Sequence, residues 1–262
     1  MRKTARAMTD DDRIRIFGDH DDKTVAQLER CVNAVEGARG VLCADGHLGY
    51  SQPIGGVVAY REHVSPSGAG YDLGCGNKAA RTPLRADDIR ADLPRIMDEV
   101  VEKVSFGVGR SAGVKADHPI LDEIRTAGFA PQRELYDLAA DQLGTVGSGN
   151  HYVNLMEDED GFVWVGVHFG SRGFGHKTAT WFMADAPSGM EAPPLLLHDE
   201  TELGQAYVEA MKLAARYAFA GRDVVVDTVL DILGTHAVDE VHNHHNFAWR
   251  ERHFGTDVWV IR

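Results

Sequence analysis

A glycine-rich segment, residues 70–76 (GYDLGCG), is the sequence feature that most restricts how this chain can fold. Glycine permits positive φ angles and removes the obstruction of a Cβ atom, so the segment predicts a loop in which nearby side chains converge. Asp72 and Cys75 lie three residues apart in it. A carboxylate and a thiolate are both metal ligands. A lone pair of this kind is more often a buried cysteine beside a turn-forming aspartate, so the segment alone leaves both interpretations open.

Two further glycine-rich segments each place a histidine beside a predicted strand. His151 follows residues 147–150 (GSGN) at the start of one strand, and His168 ends another strand before a glycine turn. That turn carries Arg172, whose planar fork of donors suits a phosphate group. Asn150 could hold a phosphate or orient a ligand. The alternatives are structural histidines with satisfied hydrogen bonds and an arginine that faces solvent.

A fourth segment contains three histidines within four residues, His242, His244 and His245. Histidines this close in sequence cannot all face one ion, so at most one or two of them would be ligands. Together the four segments supply an aspartate, a cysteine and three or more histidines. These residue types can form a metal-binding site, and the interpretation depends on all four segments occurring in one chain.

The net charge of −13 is unevenly distributed along the 262 residues. Residues 1–85 hold 12 Lys and Arg against 11 Asp and Glu, whereas residues 86–262 hold 15 against 29. Non-specific nucleic-acid binding depends on Lys and Arg contacts to phosphates, so this composition argues against it. Binding of an RNA end at a small, metal-assisted site is compatible with the charge.

Other classes are excluded by the absence of their patterns. No run of about eighteen apolar residues occurs, so no transmembrane helix is expected. The basic residues 1–6 precede an acidic stretch and no apolar core, which argues against a secretory signal. Three cysteines are too few for a disulfide framework and favour a reducing cytoplasm. No Walker loop, dinucleotide-binding glycine motif or nucleophile elbow is present, so nothing indicates a kinase, dehydrogenase or α/β-hydrolase.

Helical and strand patterns occur without strict alternation, so the sequence predicts an α+β fold in preference to a doubly wound parallel sheet. Helical spacing begins at an Asp21 or Asp22 cap and recurs in residues 86–105, where Pro94 bends the helix or starts a second one. Later helices are predicted at 131–139, 201–220 and 223–233. Short strands, many of them rich in valine, are predicted at 40–44, 56–60, 77–82, 151–156, 162–167 and 257–261. No domain boundary is evident, so we expect one domain over residues 1–262.

Several blocks of the chain resemble the RtcB family of RNA ligases. These are residues 44–50 (ADGHLGY), 53–57 (PIGGV), 65–76 (SPSGAGYDLGCG), 147–151 (GSGNH), 168–176 (HFGSRGFGH) and 245–247 (HNF). They occur in the family's order and lie within residues 25–262, which is far more specific than any block alone. The resemblance implies an RtcB-like mixed fold and a ligase of the tRNA-splicing or RNA-repair type.

In that family, GTP and Mn²⁺ support the joining of an RNA 2′,3′-cyclic phosphate or 3′-phosphate end to a 5′-hydroxyl end. A histidine is first guanylylated, and GMP then passes to the RNA 3′-phosphate. By position, the resemblance implies that Asp72, Cys75 and His151 hold one Mn²⁺. Cys75, His168 and His245 would hold a second, so that Cys75 bridges the two ions.

The resemblance also assigns residues to the nucleotide and the RNA. Asn150 and Arg172 would act in catalysis by contacting phosphates, and Asn150, Tyr152 and Asn154 would lie at the bound GTP. Asn154 occupies a position where the family has an acidic residue that reads guanine, so the chain departs from the family there, although an asparagine amide can also hydrogen-bond a base edge. The implied partners are RNA ends, from tRNA halves or broken RNA, and an archease-like activator, with no membrane.

The chain also departs from the family near its end. None of its thirteen histidines matches the motif of the guanylylated histidine, so we expect the chain to lack the family's C-terminal portion. It should then bind Mn²⁺ without forming a covalent GMP adduct. Residues 73–78 differ from the commoner family version, which indicates a divergent subgroup. Two other functions remain open: a non-catalytic remnant that binds metal or RNA ends, and a metal-dependent phosphoesterase.

Overall fold

The computed structural model describes residues 13–113, 115–187, 189, 191–253 and 255–262, and it confirms the predicted α+β class. The helices are α1 (Asp22–Asn33), α2 (Pro66–Ala69), α3 (Ala86–Ile89), α4 (Leu93–Lys103), α5 (Ile120–Arg125), α6 (Ala130–Arg133), α7 (Tyr136–Gln142), α8 (Arg172–Phe182) and α9 (Glu202–Leu233). A short 3₁₀ turn, Arg90–Asp92, separates α3 from α4.

The strands are β1 (Ile14–Ile16), β2 (Arg39–His47), β3 (Ile54–Tyr60), β4 (His63–Val64), β5 (Gly76–Arg85), β6 (Ser105–Phe106), β7 (Thr145–Gly147), β8 (Tyr152–Glu157), β9 (Phe162–Phe169), β10 (Leu197–His198), β11 (Asp239–His242), β12 (Ala248–His253) and β13 (Thr256–Ile261). All six predicted strands are present, with ends shifted by a few residues.

The chain packs as two compact units. Unit 1 takes in the described residues up to Tyr71, together with Ala179–Glu209 and Asn246–Arg262. Unit 2 comprises Asp72–Thr178 and Ala210–His245. The expectation of one domain over residues 1–262 stays a prediction.

Unit 1 contains a five-stranded sheet in the order β1-β2-β3-β13-β12, and α1 packs on it. The Asp21 carboxylate accepts hydrogen bonds from the first backbone N–H groups of α1, as the sequence predicts for an N-cap. Leu28, Cys31 and Val32 form the buried face of this helix. The Tyr60 hydroxyl donates to the carbonyl of Cys31 at 3.0 Å, which fixes α1 against β3.

Unit 2 contains a four-stranded antiparallel sheet in the order β11-β5-β9-β8. Its register places Asn77 of β5 and Tyr152 of β8 on either side of His168 in β9. One face of the sheet packs against α9 through a core of buried valines and one phenylalanine. These include Val153, Val165, Val167, Phe169, Val225, Val226 and Val229.

Four local features differ from the sequence expectations. The helix predicted at 131–139 is divided into α6 and α7, with Glu134 and Leu135 between them. His168 lies inside β9, which runs two residues beyond the predicted strand. Arg172 was predicted in a turn, but it is the first residue of α8. Residues 201–220 and 223–233 form one continuous helix, because the buried side chains Val225, Val226 and Val229 extend the apolar face past Gly221. The helix ends before Gly234, as predicted.

Within the described part of the chain, no helix combines the length and the apolar character that a membrane span requires.

Candidate metal centre

Two groups of potential ligands lie in unit 2 and share one cysteine. The first, called group A here, consists of Asp72, Cys75 and His151, and the second, group B, consists of Cys75, His168 and His245. In each group the ligand atoms all lie within 4.8 Å of one another. The structure therefore brings together all five residues that the sequence resemblance assigned as ligands. His242 and His244 belong to neither group.

Backbone hydrogen bonds place the ligand-bearing segments side by side. The N–H of Cys75 donates to the carbonyl of Asp72 at 3.0 Å, which closes the predicted glycine-rich turn just before β5. The N–H of His245 donates to the carbonyl of Cys75 at 2.8 Å. His245 is thus the histidine of its segment that the backbone brings to Cys75.

The ring of His151 is held by the main chain on one side and faces Asp72 on the other. Its Nδ1 lies 2.9 Å from the carbonyl oxygen of Val146, which can only accept, so Nδ1 carries a proton. Its Nε2 lies 2.9 Å from Asp72 Oδ2 and 3.7 Å from Cys75 Sγ. With the proton on Nδ1 of a neutral ring, Nε2 presents a lone pair to the Asp72 carboxylate. These two groups would repel each other unless a proton or a metal ion lies between them.

His168 has a matching arrangement built from side chains. Its Nδ1 donates to Asn77 Oδ1 at 2.8 Å, and its Nε2 lies 3.4 Å from Cys75 Sγ. The Tyr152 ring stacks on this imidazole at 5.5 Å, and its hydroxyl donates to the same Asn77 oxygen at 3.3 Å. Burial, together with the neighbouring His245 and His151, lowers the pKa of His168 to about 4. The ring is therefore neutral near pH 7, as a metal ligand must be.

Burial and neighbouring groups set the charges of Asp72 and Cys75. Burial alone would raise the pKa of Asp72, but His151, Cys75 and Arg172 outweigh burial, so this pKa is lowered and the carboxylate is ionised. Burial and the Asp72 carboxylate raise the pKa of the Cys75 thiol. A metal ion bound at Cys75 would therefore have to displace the thiol proton.

Arg172 lies beside group A at the start of α8. Its Nε donates to Thr145 Oγ1 at 3.3 Å, and its Nη1 lies 3.4 Å from His151 Nδ1. It adopts a positive φ of 53°, a conformation that is costly for a residue with a side chain. A Cβ atom at Gly147 would collide with its guanidinium group, so this glycine leaves the space that the arginine fills.

The other three assigned residues lie close to His151 in sequence, in the turn before β8 and in β8 itself. Asn150 is exposed in the turn before His151. Tyr152 is partly exposed and covers His168. Asn154 is exposed, and it lies on the same face of β8 as Tyr152, since side chains alternate along a strand. None of the three is a member of a ligand group.

Sequence reasoning missed two residues that support the ligands, Asn77 and Arg222. Asn77 could be found only from the strand register that puts it opposite His168. Arg222 lies between the two predicted helices, 201–220 and 223–233, so the sequence pattern gave no sign that it is buried on one continuous helix, α9.

The donor set fits divalent metal ions. Both imidazoles of known orientation donate their Nδ1 proton to an oxygen, which leaves Nε2 lone pairs directed at Cys75 and Asp72. Histidine ligands in metal sites are oriented in this way by a hydrogen bond from the second ring nitrogen. The described residues thus form an α+β chain in which groups A and B share one cysteine. This arrangement places the chain in the class of candidate two-metal proteins.

The chain belongs to the RtcB family: the family model described as "tRNA-splicing ligase RtcB" matches residues 23–131 and 130–262. The chain is 29% identical over 251 residues to the "RNA-splicing ligase RtcB" of Escherichia coli (strain K12), covering 83% of this chain and 62% of that protein. It is 31% identical over 243 residues to the "tRNA-splicing ligase RtcB" of Thermococcus kodakarensis, covering 72% of this chain and 50% of that protein.

A similar relation holds for the "tRNA-splicing ligase RtcB" of Pyrobaculum aerophilum, which is 28% identical over 293 residues. That match covers 85% of this chain and 60% of the relative. The chain thus spans between half and two thirds of the length of these curated relatives.

Proposed function

We propose that this chain carries the metal centre and the RNA 3′-end site of a GTP- and Mn²⁺-dependent RNA ligase. The reaction joins an RNA 2′,3′-cyclic phosphate or 3′-phosphate end to a 5′-hydroxyl end, in tRNA splicing or RNA repair. The observation that carries the proposal is the pair of ligand groups around Cys75 in a chain of the RtcB family.

The proposed ligands are Asp72, Cys75 and His151 for one ion, and Cys75, His168 and His245 for the other. When bound, two adjacent divalent ions supply Lewis acidity that stabilises negative charge on phosphoryl oxygens. The nitrogen, oxygen and sulfur donors also suit Zn²⁺, which binds such sets more tightly than Mn²⁺. The preference for Mn²⁺ is therefore part of the proposal, and it is supported by family membership.

The protein's own side chains would position the phosphates. Arg172 is half-buried and already oriented by Thr145, so little freedom is lost when its guanidinium binds a phosphate oxygen. Asn150 offers an exposed amide one residue before His151. Tyr152 and Asn154, on one face of β8, are the proposed contacts of the guanine nucleotide, with the Asn154 amide able to hydrogen-bond a base edge.

The proposed partners are RNA ends, either tRNA halves or broken RNA, and an archease-like activator. We place the reaction in the cytoplasm, since all three cysteines in the chain are free thiols.

The test is a binding experiment on this chain with RNA oligonucleotides that differ only at the 3′ end. A 3′-phosphorylated oligonucleotide should bind in the presence of Mn²⁺ more tightly than its 3′-hydroxyl counterpart. The difference should shrink in R172Q, which loses the charged fork, and persist in R216Q, which changes an exposed arginine of α9. Equal binding of both oligonucleotides would contradict the proposed 3′-end site.

A second measurement separates the proposal from the alternatives. Mn²⁺-dependent preference for the 3′-phosphate end, with no covalent adduct from labelled GTP, supports the proposed 3′-end half of a ligase. Release of phosphate from a 2′,3′-cyclic end without GTP would instead favour a metal-dependent phosphoesterase. Metal binding with no preference between RNA ends and no such release would favour a non-catalytic remnant.

A further inference from the structure

Arg222 of α9 is a fully buried arginine behind the metal centre. Its exposed fraction is 0%, and its Nη1 donates to two carbonyl oxygens, Gly74 O at 2.9 Å and Phe169 O at 2.6 Å. Gly74 immediately precedes Cys75, and Phe169 immediately follows His168. One guanidinium nitrogen therefore ties together the two segments that carry the shared cysteine and a group B histidine.

A chain of polar contacts fixes the orientation of this guanidinium. Its Nε donates to His242 Nε2 at 2.9 Å, so His242 carries its proton on Nδ1, which lies 3.5 Å from Asp223 Oδ1. Lys78 Nζ in turn lies 2.7 Å from the same Asp223 oxygen. The His242 ring stacks on Phe219 at 3.9 Å, and Arg222 lies over the same ring.

The third guanidinium nitrogen of Arg222, Nη2, is buried and has no hydrogen-bond acceptor among the described residues. Burial lowers the pKa of Arg222 to about 10, so the group still carries its positive charge near pH 7. A buried cation is costly unless opposite charge lies nearby. Cys75, Asp223 and Asp72 interact electrostatically with Arg222 and raise its pKa, against the effect of burial.

The two hydrogen bonds to carbonyl oxygens would not by themselves require a charged residue, because a neutral side-chain amide can also donate to carbonyl oxygens. A positively charged guanidinium at this position is stabilised when the residues next to Gly74 carry negative charge. The Asp72 carboxylate and a metal-bound Cys75 thiolate supply that charge. The placement of Arg222 is thus better matched to the metal-loaded centre than to a neutral cysteine.

We propose that Arg222 is a positioning residue of the metal centre. It holds the Cys75 and His168 segments in register through the carbonyls of Gly74 and Phe169, and it balances the charge of the thiolate and carboxylate ligands. The inference rests on the proposed metal centre and adds to it a residue outside the ligand set. Arg222 acts through its neighbours and does not itself bind the metal.

The test uses R222M, which keeps the volume without the charge, and R222K, which keeps the charge without the fork. The matched control is R216M, an exposed arginine of the same helix that pairs with Glu123. Co²⁺ is titrated into each chain, and the thiolate-to-cobalt charge-transfer band and the visible ligand-field bands are recorded. Thermal unfolding of the metal-free chains is measured in parallel.

R222M should bind Co²⁺ about tenfold to a hundredfold more weakly, the size seen when residues that orient metal ligands are removed. Its charge-transfer band should shift or lose intensity, because Cys75 is no longer held in place. R222K should fall between R222M and the parent chain. R216M should match the parent in affinity and spectrum.

Parent-like affinity and spectra in both R222M and R222K would overturn the inference, as would a loss of thermal stability with no change at the metal. Where R222M does not fold, H242L removes the acceptor of Nε and leaves the arginine in place. A weaker Co²⁺ affinity in H242L then supports the inference, and an unchanged affinity contradicts it. If the parent chain binds no Co²⁺, Mn²⁺ or Zn²⁺, the proposed metal centre itself fails, a result distinct from these.

Discussion

Groups A and B share Cys75 but differ in what holds their other ligands. In group A, a main-chain carbonyl orients His151, and the ligand beside it is a carboxylate that interacts electrostatically with the Arg172 guanidinium. In group B, a side-chain amide orients His168, and the third ligand is a second imidazole. Group A is thus fixed by backbone and charge, whereas group B is fixed by side-chain packing.

The difference has a chemical consequence for the ions. A carboxylate makes group A the harder set, suited to Mn²⁺ and Mg²⁺, and two imidazoles make group B the softer one, suited to Zn²⁺. The two groups also differ in which supporting contacts a substitution can remove. Group B can be altered by changing its supporting side chain, Asn77. The carbonyl that orients His151 is present whatever residue occupies position 146.

The largest effect is expected at the residue that the two groups share. Cys75→Ala should remove both ions, taking the metal content from about two per chain to about none, because a bridging thiolate contributes to each site. Elemental analysis after dialysis measures this directly. Cys31→Ala, another buried cysteine, serves as the control and should keep both ions. Unchanged metal content in C75A would show that the ligand assignment is wrong.

Next in size are changes that remove one ligand from one group. D72N keeps the size of the side chain without its charge, and H168Q replaces one of the two imidazoles of group B. Each should lower the metal content from about two ions to about one, since the other group retains its ligands. Loss of both ions in both variants would show that the two groups act as a single site and not as two.

A smaller effect is expected from Gly170→Ala, which tests group A without touching a ligand. A Cβ atom at this position would collide with the Asp72 carboxylate. Displacement of that carboxylate should weaken Mn²⁺ binding at group A by about tenfold or more. Isothermal titration calorimetry resolves the weakened site. Gly128→Ala, where an added Cβ meets open space, is the matched control in the same unit.

The support of group B can be examined in two graded steps. N77A removes the acceptor of His168 and should weaken group B by about tenfold while leaving group A unchanged. Y152F removes only the hydroxyl that donates to Asn77, so it should cost about 1 kcal/mol or less. Competition between Zn²⁺ and a chelating dye measures both. A larger loss in Y152F than in N77A would contradict the proposed order of support.

Much of the centre could be predicted from the sequence because its ligands lie in short motifs. Asp72 and Cys75 are separated by one turn, and His151 and His168 flank glycine-rich runs. The five motif residues do converge in the structure. The α+β class also followed from local patterns, since helix caps and alternating valines act over a few residues.

What could not be predicted depends on contacts between distant segments. Asn77 supports His168 only because β5 and β9 pair in one particular register. The spacing of His242, His244 and His245 did not show which of them meets Cys75; the family resemblance named His245, and its N–H donates to the carbonyl of Cys75. Arg172 was expected in a turn because of its flanking glycines, and tertiary contacts with Thr145 and His151 place it at the start of a helix.

The candidate ligands come from four segments that meet only when unit 2 is folded. An ion that binds the native chain and not the unfolded one stabilises the fold by about 2.7 kcal/mol at a free concentration a hundred times its Kd. Metal supply would then act on the amount of protein as well as on its chemistry. In a cell short of the ion, unit 2 would open more often and be degraded sooner, and in a buffer with a chelator it would melt at a lower temperature.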